Sequence, residues 1–170
     1  EDKRELYSTN YACPHCGWTL EEISPRLFSF NAPYGACPNC TGLGYTLDID
    51  ENIVLKNSNL SINEGAFNLT GWRFEEGSMA KAYFVGLSNK YNIDLDRPVK
   101  ELPRKQIELL LYGSEDKIDI EVDNEHGRRI LSVNFEGIVN NLRRRYRETN
   151  SEWVKFEINR FMREIKCHVC

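Results

Sequence analysis

The sequence predicts an α+β protein, with short antiparallel strands and about four helices set beside small zinc knuckles. Two observations predict it. The six cysteines fall into three Cys-x-x-Cys pairs, Cys13/Cys16, Cys37/Cys40 and Cys167/Cys170. The chain between the second and third pairs mixes short period-two runs with segments whose apolar residues recur at helical spacing, and it contains no internal repeat.

Two residues between cysteines is the spacing at which a tight turn aims both thiolates at one tetrahedral ion, about 2.3 Å from each sulfur. Each pair is half a zinc site, so three pairs leave one over. With 20 residues between the first two pairs, Cys13, Cys16, Cys37 and Cys40 read as one zinc ribbon; the alternative joins Cys37/Cys40 to Cys167/Cys170 across the 126 residues between them. Disulfides fit less well, because adjacent Cys-x-x-Cys thiols form strained, reducible bridges. Four thiolates leave no open position for water, so the zinc is expected to be structural. His15 lies inside the first knuckle, with its ring directed away from the ion.

The 170 residues suffice for a metal module and one compact domain, and 41% hydrophobic with 28% charged residues is ordinary globular composition. No apolar run approaches the roughly 18 residues of a membrane span, and the acidic Glu1-Asp2 start is unlike a signal peptide. Reduced cysteines without such a signal point to the cytoplasm. Net charge is −4, unevenly spread: residues 128–170 hold 10 Lys/Arg against 5 Asp/Glu, and residues 1–127 hold 12 against 21. The basic end is the candidate for phosphate contact.

In chain order, residues 1–12 read as a polar connector entering from an upstream segment. Gly17 follows the first knuckle, where glycine permits a left-handed turn that faces backbone N–H groups toward sulfur, and Thr41–Gly44 after the second gives close backbone approach. Thr41–Gly44 has no following Lys-Ser/Thr and is no phosphate loop. Residues 23–36 hold a short strand and turn, since Pro25, Pro33 and Gly35 forbid a long helix. Tyr45–Asp50, Ile53–Leu55 and Leu60–Ile62 read as short strands, followed by an irregular stretch anchored by Phe67, Trp72 and Phe74. Ser78–Tyr91 has helical spacing. A second helix starts near Pro103 and stops at Gly113. Lys117–Val122 and Arg128–Val133 alternate across a turn that includes His126, which is the signature of a hairpin. Phe135–Arg147 is a helix with a dense cationic face. A last helix, capped by Asn150 or Ser151, carries Val154, Ile158, Phe161, Met162 and Ile165 on one face and runs to Cys167.

No nucleotide-loop, nucleophile-elbow or zinc-protease motif is present, and no catalytic residue is assigned. Besides the cysteines, the functional signal is the cluster Arg128, Arg129, Arg143, Arg144, Arg145 and Arg147. Arginine forks phosphate oxygens, and Arg143, Arg144 and Arg147 share a helix face that could follow a duplex backbone without reading bases. The opposing reading is a helix surface whose arginines pair with Glu136, Glu148, Glu152 or acids of the first half.

Three segments carry a family resemblance: Cys13-Pro-His-Cys-Gly17, Glu22-Ile-Ser-Pro-Arg-Leu-Phe-Ser-Phe-Asn-Ala-Pro-Tyr-Gly-Ala-Cys-Pro-Asn-Cys-Thr-Gly-Leu-Gly44, and Phe135-Glu-Gly-Ile-Val-Asn-Asn-Leu-Arg-Arg-Arg-Tyr-Arg-Glu-Thr-Asn-Ser151. They resemble the UvrA family, the damage-sensing ATPases of bacterial UvrABC nucleotide excision repair, and the similarity covers nearly the whole chain. UvrA-like paralogues in antibiotic resistance share the pattern. One departure is Asn134, where family members often have Pro.

The resemblance implies an internal piece of such an ATPase. Residues 1–44 would be a connector and zinc-knuckle segment, 45–166 an insertion domain, and 167–170 a returning knuckle. By similarity to the second half of such proteins, Cys37/Cys40 would share a zinc with Cys167/Cys170, and Cys13/Cys16 would join a pair from upstream. The Walker and signature segments are absent, so ATP would belong to the full-length parent and this piece would be no enzyme. The family's insertion domain is expected to approach double-stranded DNA beside a lesion as a clamp-like arm, with the six arginines as contacts. The implied partners are the rest of the parent chain, a second parent copy and UvrB through parts outside this chain. The competing role is a protein-interaction or spacer module.

Overall fold

The computed structural model describes residues 12, 13, 15–17, 19, 36–124 and 127–169. The chain divides into two compact units, Glu1–Thr46 with Ile165–Cys170, and Leu47–Glu164. The α+β class expected from the sequence is observed. In order the elements are β1 (Tyr45–Ile49), α1 (Glu51–Val54), α2 (Met79–Tyr91), a 3-10 turn (Val99–Glu101), α3 (Arg104–Tyr112), β2 (Lys117–Asn124), β3 (Gly127–Asn134), α4 (Ile138–Glu148), α5 (Glu152–Asn159) and β4 (Met162–Lys166). They form two two-stranded sheets, β1 with β4 and β2 with β3.

The core of the larger unit is aromatic at its centre. Trp72 meets Phe135 edge-on at 5.8 Å between centroids and Phe84 at 5.9 Å, while Phe67 stacks on Phe84 at 5.6 Å. The indole N–H of Trp72 donates to Asn141 Oδ1 at 3.2 Å, satisfying the polar edge of an otherwise buried ring. Around this cluster Leu87, Leu110, Ile118, Ile120, Ile138, Leu142 and Ile158 are fully buried. The hairpin is antiparallel with Ile118 opposite Val133 and Ile120 opposite Leu131, so β2 directs its apolar alternation at the core. Gly86 in α2 lets the hairpin approach: a Cβ there would lie 2.6 Å from the Asp119 carbonyl oxygen.

Three local expectations are corrected. Ile53–Leu55 is not a strand, because the Asp50 carboxylate accepts the Asn52 N–H at 2.8 Å and caps the short helix α1, burying Val54. Leu60–Ile62 forms only an isolated bridge, Ser61 to Pro98, in a turn where Glu64 Oε2 accepts the Ser61 N–H. The last helix ends at Asn159 rather than continuing to Cys167. Ser151 caps it as expected, but Met162–Lys166 is strand β4, because β1 offers those backbone groups a ladder that a continued helix would forgo. Elsewhere the Ser78–Tyr91 helix, the helix stopping at Gly113 and the hairpin stand where the spacing places them, while the arginine helix begins at Ile138 rather than Phe135, because Gly137 at φ 87° caps it.

The start of α4 rests on a backbone crossing. Gly137, at φ 87°, is its N-terminal cap, and a Cβ there would lie 2.3 Å from both Gly113 N and Tyr112 C. Gly113 faces the same strand of chain, and Ser114 N–H donates to the Phe135 carbonyl. Gly137→Ala must therefore displace backbone as well as adopt a left-handed conformation. Gly65, at φ 91°, has nothing within 4 Å of its missing Cβ. We expect Gly137→Ala to destabilise by more than about 3 kcal/mol and Gly65→Ala by about 1–2 kcal/mol in urea denaturation; equal losses would show that the crossing carries no packing constraint.

Candidate metal centre and nucleic-acid interface

In the smaller unit the structure gathers Cys37, Cys40 and Cys167, with all three sulfurs within 4.8 Å of one another. The turn that makes this possible runs through two left-handed residues, Thr41 at φ 51° and Gly42 at φ 89°, with Thr41 N–H donating to the Cys37 carbonyl at 2.7 Å. Gly44, at φ 76°, then donates its N–H to Cys40 Sγ at 3.3 Å, while its carbonyl accepts the Cys167 N–H at 2.9 Å. One glycine thus ties both knuckle segments together. Cys40 and Cys167 are buried, Cys37 is half-buried, and Asn39 Nδ2 donates to Cys167 Sγ at 3.5 Å.

The donor set fits a thiolate metal site. Sulfurs each about 2.3 Å from a tetrahedral ion lie about 3.8 Å apart, and Cys37 Sγ and Cys167 Sγ are 3.8 Å apart. N–H groups aimed at sulfur stabilise thiolate over thiol. Cys170, the remaining cysteine of this knuckle, lies outside the described residues, as does His126 of the hairpin turn. Cys13 and Cys16 are not in the three-sulfur group; the Cys13 thiol is held below its ordinary pKa by the backbone N–H groups of Cys16 and His15 and by the Cys16 thiol. Gly17 closes their turn at φ 72°, donating to the Cys13 carbonyl at 3.0 Å.

In the larger unit the arginines divide. Arg143 grips Asp48 with two hydrogen bonds, Nε to Oδ1 at 2.6 Å and Nη2 to Oδ2 at 2.7 Å. Arg144 bonds both Glu136 oxygens, at 3.1 and 2.7 Å, and reaches Glu148 at 2.8 Å, so its pKa rises further above the arginine range. Arg145 turns the other way. Its Nη1 donates to the Thr70 carbonyl at 2.7 Å, over Gly71, where a Cβ would stand 2.6 Å from that nitrogen. Burial and the charge of Arg144 lower its pKa. Arg128 bridges to Glu121 at 3.2 Å. Arg129 and Arg147 are exposed and make no ion pair among the described residues. The arginines singled out by charge thus fall into those held by acids or a carbonyl of the chain itself and two that face solvent.

Two exposed aromatics were not singled out by sequence reasoning. Trp153 and Phe156 on α5 are 64% and 66% exposed. Their signal was available: they fall out of phase with Val154 and Ile158, which face the core.

Three gathered thiols able to hold a metal ion, in a chain that also carries an α+β unit with an arginine helix, define a cysteine-knuckle class of protein. The comparisons make the class specific. The family model described as the UvrA DNA-binding domain matches residues 50–160. The UvrABC system protein A of Clostridium perfringens is 43% identical over 170 residues, covering 99% of this chain and 18% of that protein. That of Bacillus subtilis is 39% identical, covering 97% of this chain and 17% of that protein. The crystal structure of UvrA2 from Deinococcus radiodurans superposes with a TM-score of 0.62 at 23% identity, over 85% of this chain and 18% of that one. The chain belongs to the UvrA DNA-binding domain family, and it spans about 18% of the length of the Clostridium perfringens relative.

The Glu136 carboxyl lies below the ordinary glutamate pKa, held there first by Arg144 and then by Asn141, against the opposing effect of burial. A depressed carboxylate contributes stability that is fully present above its unfolded pKa, about 4.3, and is lost as pH falls through the folded value. We expect Glu136→Gln to lower stability at pH 7 and to flatten its decline between about pH 5 and pH 3. Parallel stability-versus-pH curves for the two proteins would remove Glu136 from that linkage.

Proposed function

We propose that this chain is the DNA-contacting insertion domain, with its zinc-knuckle base, of a UvrA-like nucleotide excision repair ATPase, and that it touches duplex DNA through the backbone without reading sequence. The observation that carries this reading is the match of residues 50–160 to a family described as the UvrA DNA-binding domain. Relatives named UvrABC system protein A, aligned over nearly all of this chain, support placing it within an excision repair protein. On this reading residues 1–44 are the connector and first knuckles, 45–166 the insertion domain and 167–170 the returning knuckle. ATP hydrolysis, homodimerisation, contact with UvrB and a cytoplasmic location belong to the full-length parent, and lesion-bearing DNA is its substrate. No helix among the described residues is long and apolar enough to cross a membrane.

Of the six arginines, Arg129 and Arg147 are the readiest phosphate contacts, because neither must first leave an acid. Arg145 also lacks a carboxylate partner among the described residues. Arg143 and Arg144 could reach phosphate only by exchanging Asp48, Glu136 and Glu148 for it. Arg128 would likewise have to give up Glu121. That pairing favours the second reading, a protein-interaction or spacer module of the same ATPase with no direct DNA contact.

For the metal we propose structural zinc held by Cys37, Cys40, Cys167 and Cys170, with Cys13/Cys16 as half of a separate site. Zinc bound there draws the two knuckle segments together and supplies no reaction step.

Two outcomes test these proposals. Duplex affinity should fall steeply with salt, and replacing Arg129 and Arg147 together by Ala should lower the salt slope by about 2. An unchanged slope, or no duplex binding at low salt, favours the spacer reading. Cobalt substitution should give a tetrathiolate charge-transfer spectrum that Cys167→Ser alters and Cys13→Ser leaves intact; the reverse would restore the ribbon of Cys13, Cys16, Cys37 and Cys40.

A further inference from the structure

The exposed face of α5 carries two large aromatics. Val154 and Ile158 turn inward, and Ile158 is fully buried. On a helix of 100° per residue, Trp153, Phe156 and Arg160 then fall at i, i+3 and i+7, within about 60° of one another on the solvent side. Both rings are about two-thirds exposed, and the Arg160 side chain is 63% exposed and paired with Glu157 at 3.4 Å. Large aromatics paired in solvent are a costly surface to leave uncovered.

We propose that this stripe is a stacking platform for unpaired nucleic-acid bases, with Arg160 exchanging Glu157 for the adjoining phosphate. The proposal rests on the DNA-binding reading above and names the part of the DNA that the domain prefers. Three observations favour a nucleic acid over a protein segment. An arginine follows the aromatic pair one turn further along the same face, and a cation beside π-faces is the composition of single-strand grooves. The stretch matched by the UvrA DNA-binding domain family includes all of α5. Side chains three apart on a helix stand about 5–6 Å from each other at Cβ, wider than the roughly 3.4 Å rise between stacked bases of one strand. Two rings so spaced do not match an intact stack and are suited to bases already separated by distortion or melting. The platform therefore discriminates opened from intact duplex, and the arginines that grip only the backbone do not.

The test uses the full 170-residue chain loaded with zinc, an oligo-dT single strand, a duplex with a central unpaired bubble, and the same duplex fully paired. Trp153→Ala with Phe156→Ala should weaken single-strand and bubble binding about tenfold or more while changing intact-duplex affinity less than about threefold. Trp153→Phe with Phe156→Tyr keeps both π-faces and should retain most of the affinity. In a Trp18→Phe background oligo-dT should quench tryptophan emission, and it should not once Trp153→Phe is added, since the one remaining tryptophan, Trp72, is buried. Equal losses on all three DNAs, or none on any with duplex binding retained, would overturn the platform and leave the DNA-binding reading standing. Absence of binding to every DNA would remove both. Loss of self-association in the double-alanine variant, with DNA affinity unchanged, would assign the face to a second copy of the chain and overturn the proposal.

Discussion

Two sulfurs 130 residues apart in sequence, Cys37 and Cys167, lie 3.8 Å from each other, and this closure is the constraint on which the chain's organisation depends. A loop of that length is expensive to close by entropy alone, although the expense grows only with the logarithm of its length. Here closure has a backbone component that does not wait for an ion. Gly44 bonds Cys40 Sγ with its N–H and receives Cys167 N–H on its carbonyl. Everything between the two knuckles must leave and return at one place. A metal held by these sulfurs would add binding free energy to an arrangement that the polypeptide already favours.

The second organising fact is that the larger unit answers its own arginines. A guanidinium fork fits a carboxylate as well as it fits a phosphate, and Asp48, Glu136 and Glu148 occupy the forks of Arg143 and Arg144. Each of these pairs is partly exposed, so its contribution to stability is modest and screened by salt. Its effect on function is larger. A cation already bonded must exchange partners to meet DNA, whereas Arg129 and Arg147 need only shed water. Charge density along a helix overstates the surface available to a ligand whenever acids from another element are folded against it, and Asp48 comes from β1, far away in sequence.

Much of the lobe was legible because its signals are local. Gly113 at a helix end, Pro103 before a helix, Ser151 before an amphipathic run and strict alternation from Lys117 each have a physical cause within a few residues. Ile53–Leu55 and Met162–Lys166 were misread for opposite reasons. The first is apolar and begins with two β-branched residues, yet a single carboxylate three residues upstream offers it a helix cap. The second continues a helical period, yet β1 gives it a strand to pair with.

By itself the sequence determined the element types over most of the lobe, the family through its knuckle and Phe-Glu-Gly segments, and the thiol pairs able to take a metal. These follow from spacing, capping and residue chemistry, all of which act over short stretches of chain. Only the tertiary structure decided which cysteines meet, which arginines stay free and which face of α5 carries its aromatics outward. Those outcomes depend on groups brought together from distant positions, Cys37 with Cys167 and Arg143 with Asp48, and no local periodicity encodes such distances.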